Sequence, residues 1–259
     1  MLRGLFVSCS YGGNSDTIWG NVLMADFELV VFDMAGTTIH DSGEVRACFQ
    51  AASEETGLQI TPEKILSMMG WSKRLVFNTL WTESLGSHHP DLEARVETSY
   101  AAFRRILEDH YLAEPVRPTD GCLECFQWLH DRGIKIALTT GFYRRVTDII
   151  LRRVKWDVGL DANYVGGDHS IIQASVTSDC VRASRPAPDM IHSAMSLLNV
   201  ADARRVVKIG DTPSDLQAGR NAGCGLSLAV TNGSHSRAQL ESEPNDGLLD
   251  SLAQLKDFL

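Results

Sequence analysis

The chain has 259 residues, 44% hydrophobic and 22% charged, an ordinary globular composition with length for one large domain or two modest ones. Its 24 Lys and Arg against 33 Asp and Glu leave a formal charge of −9, which argues against a surface that seeks nucleic acid. The sequence has no apolar run of helical-span length, and its six cysteines are neither dense nor regularly spaced, so a protein of a reduced, cytoplasmic compartment without a membrane span is expected.

Residues 1–23 read as a disordered extension. One Arg and the short run Leu5–Ser8 are too weak for a signal peptide, and Met24, directly before the first strand, offers an alternative start. Phe27 to Asp33 (FELVVFD) is a short apolar run of strand length, followed by Gly36 and two threonines. From Gly43 to Tyr111 only helical periodicities occur, with helices expected over Gly43–Thr56, Pro62–Met69, Lys73–Trp81 and Asp91–Tyr111. The last carries Leu92, Val96, Tyr100, Phe103, Leu107 and Tyr111 at three-to-four spacing, the stripe of a bundle core. Pro115, Pro118 and Asp120-Gly121 mark a return to alternating elements. Strands are expected over Ile134–Thr139, Ile171–Thr177, Val206–Gly210 and Leu226–Val230, and helices over Glu124–Asp131, Tyr143–Arg153, Asp189–Leu198 and Pro213–Ala222. This alternation predicts an α/β core with a Rossmann-like parallel sheet, formed by residues 24–40 and 115–259 and interrupted by an all-helical cap domain over residues 41–114.

In an open parallel sheet, ligands bind beyond the carboxyl ends of the strands. The residues falling there are Asp33, then Thr139-Thr140-Gly141, then Gly210-Asp211-Thr212-Pro213-Ser214-Asp215. Asp33 and Asp211 at adjacent strand ends suit a shared hard divalent cation, Mg²⁺ first among them, which takes oxygen ligands and keeps waters for a phosphate oxygen to replace. Asp215 lies one helical turn beyond Asp211, placed to orient that site from its edge. Thr140 and the amides around Gly141, opening the next helix, suit a phosphoryl oxygen. Taken singly, an Asp after a strand is often a helix cap and GDTPSD reads as a turn. The convergence at successive strand ends is what marks a site.

Asp33-Met34-Ala35-Gly36-Thr37, Thr140-Gly141, Arg185-Pro186-Ala187-Pro188 and the Gly210–Asp215 run resemble, in order and spacing, the haloacid dehalogenase superfamily of phosphotransferases, over a match running from about Met24 to the C-terminus. Three details resemble its phosphonatase branch. Ala35 stands where most superfamily phosphatases have a second Asp, Arg185 where most have Lys, and the cap carries Met69-Gly70-Trp71-Ser72-Lys73, similar to the Met-Gly-x-x-Lys of phosphonatases. Ser184 departs from the pattern, since relatives commonly have Gly there.

The resemblance implies Mg²⁺-dependent cleavage of the carbon–phosphorus bond of phosphonoacetaldehyde or a related 2-oxoalkylphosphonate. Asp33 and Lys73 are then catalytic, as nucleophile and Schiff-base amine. Gly70, Thr140, Gly141 and Arg185 bind substrate; Asp33, the Ala35 carbonyl and Asp211 hold the metal; Thr37 and Asp215 support them. The missing acid at Ala35 fits this chemistry, because a carbon leaving group needs an electron sink rather than a proton donor, and a lysine imine is such a sink. Arg at 185 stays charged and leaves the cap lysine alone to meet the aldehyde. The resemblance also points to a homodimer formed through the caps. Two alternatives remain at the level of sequence: a phosphomonoesterase of the same fold acting on a small organic phosphate, and a non-catalytic binding protein. Elsewhere, Cys122 and Cys125 read as half-buried packing without a second ligand pair for zinc, and His88-His89 as an exposed cap loop. His40 and His235 are candidates to approach the site, and residues 157–170 form either an ordered flap or a loose loop.

Overall fold

The computed structural model describes residues 27–259; the expected extension over residues 1–23 lies outside them. The first strand, β1 (Leu29–Phe32), is wholly buried, and the chain leaves it through a tight turn in which the amides of Thr37, Thr38 and Ile39 all donate to the Met34 carbonyl at 3.2, 2.9 and 2.8 Å. Four helices follow, α1 (Glu44–Thr56), α2 (Pro62–Ser67), α3 (Lys73–Leu85) and α4 (Leu92–Ala113). They close on the rings of Phe49, Phe77 and Phe103, whose centroids lie 4.3 to 5.8 Å apart, at the distances where tilted aromatic pairs attract. The expected stripe on α4 is the buried one, with Val96, Phe103, Leu107 and Tyr111 facing inward.

After the hinge the chain runs through α5 (Cys122–His130), β2 (Lys135–Thr140), α6 (Arg144–Val154), β3 (Ala174–Thr177), α7 (Asp189–Leu197), β4 (Val206–Gly210), α8 (Pro213–Ala222), β5 (Leu226–Val230), α9 (Arg237–Glu241) and β6 (Gly247–Leu249). All five pairings are parallel, in the order β3-β2-β1-β4-β5-β6. Period-two alternation divides the sheet between two cores. Val30 and Phe32 join the α5 and helical-insert side, whereas Leu29 and Val31 pack with Met190, Ile191 and Ala218 of α7 and α8. Because β1 is central, with Phe32 in register with Leu138 of β2 and Ile209 of β4, the chain segments that leave these three strands emerge side by side.

The structure corrects several boundaries. The strand expected over Ile171–Thr177 starts only at Ala174, because Gln173 turns its side chain inward and its Oε1 accepts the Ile136 amide at 2.7 Å. Residues 157–170 are an ordered turn: Asp161 Oδ1 accepts the amides of Asn163 and Val165 at 2.8 and 2.9 Å, and Leu160 bridges to Gly166. Two short elements, α9 and β6, carry too few residues to show a periodicity in the sequence. Cys122 and Cys125 are fully rather than half buried, and burial pushes the Cys125 thiol up to about 12, which makes the pair core packing. Among the described residues, no helix is long and apolar enough to cross a membrane.

Candidate active site

Asp33, Asp211 and Asp215 meet above the centre of the sheet, each offering a carboxylate oxygen within 4.8 Å of the others, and all three are buried. Asp33 follows β1 directly. Asp211 follows β4, where Thr37 Oγ1 donates to its Oδ1 at 3.3 Å, and the amide and hydroxyl of Ser234 donate to its Oδ2 at 2.7 and 2.6 Å. Gly36 is required by this packing: it has φ +84° and a Cβ there would lie 2.4 Å from Asp211 Oδ2. Asp215 sits in the first turn of α8, where Thr212 both caps the helix and donates its hydroxyl to Asp215 Oδ2 at 2.6 Å.

Arg185 and Lys208 balance these charges. The Arg185 guanidinium is 2.8 Å from Asp33 Oδ1 and pairs also with Asp215. The ammonium of Lys208, on β4, lies 2.8 Å from Asp215 Oδ1 and is completely buried. Burial would raise Asp215, yet Arg185 and Lys208 together hold it well below the usual carboxylate range. The other two receive less help. Burial, with Asp215 and Asp211 adding to it and Arg185 opposing, lifts Asp33 to about 7, and burial with Asp215 lifts Asp211 to about 6. Asp33 Oδ1 is buried without a well-formed hydrogen bond, and the Ala35 carbonyl accepts none among the described residues. Hard oxygen donors, a surplus of negative charge and a buried carboxylate oxygen held by an ion pair without a well-formed hydrogen bond suit a divalent cation such as Mg²⁺.

Thr140 and Gly141 stand where β2 ends. Thr140 Oγ1 accepts the Phe142 amide at 3.1 Å, so that amide is already used, while the Gly141 amide makes no hydrogen bond among the described residues. The Gly70-Trp71 turn closes on this point. A Cβ on Gly141 would lie 2.7 Å from the Trp71 carbonyl and 2.9 Å from that of Gly70, and a Cβ on Gly70 would lie 2.6 Å from Thr212 Oγ1. Gly70 itself has φ +85°, and this turn leads through the cap residue Ser72 into Lys73 at the start of α3.

Lys73 is 4% exposed, with Nζ 5.4 Å from the ring centroids of both Phe49 on α1 and Phe142 after β2. It makes no hydrogen bond or ion pair among the described residues. Burial, followed by the neighbouring Arg185 charge, lowers it to about 8, against the pull of Asp33, Asp41 and Asp211. A second titratable group lies at the hinge. Burial and contact with Glu44 raise Asp41 to about 6, and the buried Tyr111 hydroxyl nearby has no hydrogen-bond partner among the described residues. Asp41 lines a cavity of about 280 Å³ together with Gly36, Arg46, Met69, Asn232 and Ser234.

The residues singled out in the sequence as catalytic, substrate-binding or metal-holding therefore fall at this junction, with His40 and His235 at its edges and Cys122, Cys125 and His88-His89 away from it. His40 is half exposed, 3.9 Å from Asp120, at the rim of the cavity. His235 is buried behind Ser234, its Nδ1 3.1 Å from the Ser234 hydroxyl. Sequence reasoning missed Lys208, Ser234, Asp41 and the two rings around Lys73. For Lys208 the signal was present: a lysine in the middle of the apolar run Val-Val-Lys-Ile-Gly is buried on both faces of a central strand and has to be paired.

The family model for haloacid dehalogenase-like hydrolases matches residues 27–223. A phosphonoacetaldehyde hydrolase of Bacillus cytotoxicus is 34% identical over 227 residues, covering 83% of this chain and 80% of that protein. One from Latilactobacillus sakei is 28% identical over 257 residues, covering 91% and 89%. The crystal structure of a phosphonoacetaldehyde hydrolase-like protein from Oleispira antarctica superposes with a TM-score of 0.70 at 20% identity, covering 92% of this chain and 93% of that one.

Proposed function

The chain belongs to the haloacid dehalogenase-like hydrolases, in their phosphonatase branch, and we propose that it hydrolyses the carbon–phosphorus bond of phosphonoacetaldehyde or a related 2-oxoalkylphosphonate. The observation that carries this reading is Lys73. An amine held near 8, buried between two rings and bound to no carboxylate, is suited to attack a carbonyl at neutral pH. Lys208 is the contrasting case, since its three protons meet Asp215 Oδ1, Thr139 Oγ1 at 3.4 Å and the Ile209 carbonyl at 3.1 Å. Held by these partners and buried beneath the site, it does not reach the aldehyde.

In the proposed sequence, the neutral Lys73 amine adds to the aldehyde carbon, and the carbinolamine takes up one proton from solvent and loses water to give a protonated imine. An oxygen of Asp33 attacks phosphorus from the side opposite the carbon. The electrons of the breaking carbon–phosphorus bond flow into the imine, leaving an enamine on Lys73 and phosphate on Asp33. Water hydrolyses the aspartyl phosphate, and protonation and hydrolysis of the enamine return acetaldehyde and the free amine. Arg185, Thr140 and the Gly141 amide are the groups offered to the phosphonate oxygens, with Gly70 allowing the cap to approach. Asp33, Asp211 and the Ala35 carbonyl would hold Mg²⁺, with Thr37 and Asp215 supporting them, and the ion would neutralise charge on the phosphonate.

Borohydride added to the protein with phosphonoacetaldehyde tests the reading. A reduced adduct on Lys73, absent from Lys73→Ala, is expected together with release of phosphate and acetaldehyde. Turnover that survives in Lys73→Ala, with no adduct in the unmodified protein, would refute it. A phosphomonoesterase reading has Ala35 against it, because no carboxyl stands two residues beyond Asp33 to protonate a departing alkoxide. Membership in a hydrolase family sets the non-catalytic alternative aside.

A further inference from the structure

The five charged groups over the sheet do not cancel. Asp33, Asp211 and Asp215 oppose Arg185 and Lys208, and the neighbouring Lys73 and Asp41 offset one another, so the pocket carries one negative charge in excess when all are ionised. One divalent cation turns that into one positive charge, which attracts an anion. Without Lys208 the same cation would bring the pocket only to neutrality. Lys208 cannot touch substrate, since it is 0% exposed beneath the site, between Thr139 of β2 and Asp215 of α8. Its charge reaches Asp33 through the buried chain Lys208, Asp215, Arg185, Asp33, each member paired with the next. In such an interior a single charge acts over several ångströms with little screening.

We propose that Lys208 is a positioning residue that sets the net charge of the site, weakening cation binding so that the metal-loaded pocket remains positive and holds a phosphonate or phosphate anion. This rests on the metal and anion binding read from the site above. Its signature is a pair of opposite shifts. Removing one buried positive charge strengthens attraction for a cation and weakens it for an anion, whereas a loosened fold weakens both.

Calorimetric titration of metal-free protein with Mg²⁺, and of Mg²⁺-loaded protein with inorganic phosphate, separates these outcomes in Lys208→Met and Lys208→Gln. Met keeps the volume, and Gln keeps a donor towards Asp215 and guards against loss of the fold. We expect Mg²⁺ to bind about tenfold tighter and phosphate about tenfold weaker in both variants. Both affinities falling together, through unfolding or otherwise, or neither moving, overturns the role of Lys208. If the unmodified protein binds no Mg²⁺ at all, the underlying reading of the site falls as well, a result distinct from unmodified binding with unshifted variants.

Discussion

Replacing Lys73 by Met should stabilise the protein while abolishing imine formation. The unfolded chain holds the Lys73 proton up to the ordinary 10.5, the folded chain only up to about 8. Below 8 both states are charged, and the folded state carries the full cost of a buried ammonium without a partner. At about 1.4 kcal/mol per tenfold change, that cost is roughly 3 kcal/mol. Between about 8 and 10.5 the unfolded state binds more protons, so stability rises with pH through that window, and above it the penalty is gone. Lys73→Met keeps the apolar stem against Phe49 and Phe142 and removes the charge. Urea denaturation at pH 7 should show a gain of about 3 kcal/mol that shrinks towards zero near pH 10.5. A variant no more stable than the parent at pH 7, or a gain that does not fall with pH, would refute the account of Lys73 as a strained, unpaired amine. The rate of borohydride trapping by the unmodified protein should show the same titration, rising about tenfold from pH 6 to 7 and levelling above 8.

Other expectations follow from single contacts. Ala35→Asp places a carboxyl two residues beyond Asp33 and should raise hydrolysis of unactivated phosphate esters at least about tenfold, measured by phosphate release. Gly36→Ala forces a side chain into a backbone at φ +84° and against Asp211 Oδ2, and should weaken Mg²⁺ binding by about tenfold or more in calorimetry. Tyr143→Phe removes the hydroxyl that donates to Glu108 Oε1 at 2.8 Å between α6 and α4, leaving Arg145 as the remaining partner of Glu108; a loss of about 1 kcal/mol in chemical denaturation is expected. Chelating Mg²⁺ should stop phosphate release yet leave the borohydride adduct on Lys73, because the amine chemistry and the phosphorus chemistry use different groups.

The sheet was legible because its strands are short apolar runs that alternate with helices, and in β1, β4 and β5 the expected bounds agree with the structure to within two residues. The β3 start was not, since Ile171-Ile172-Gln173 has strand composition while its geometry is set by a glutamine side chain taking a backbone partner. The carboxylates were legible for a topological reason: residues after parallel strands converge whatever their sequence separation. What the sequence concealed is the surroundings of each charge. Nothing in the spacing says that Phe49, 24 positions before Lys73 in sequence, and Phe142, far beyond it, flank the same amine, or that Ser234 supplies two donors to Asp211.

Closure of the helical insert joins the two halves of the proposed chemistry. The loop Thr140-Gly141-Phe142 offers a free amide on the phosphoryl side and a ring on the amine side, and the Gly70-Trp71 turn seats directly on its glycine. If the insert lifts away, Lys73 loses the Phe142 ring and meets water, so its proton is held more tightly and the amine ceases to be a nucleophile at neutral pH. The same movement takes Gly70 from Thr212 and admits solvent to the carboxylates. In the proposed chemistry an acidic chain of net charge −9 can serve an anionic substrate because attraction is created locally, by Arg185, Lys208 and the cation the carboxylates would hold. The amine's hold on its proton is loosened a short distance away by the apolar surfaces that closure brings together.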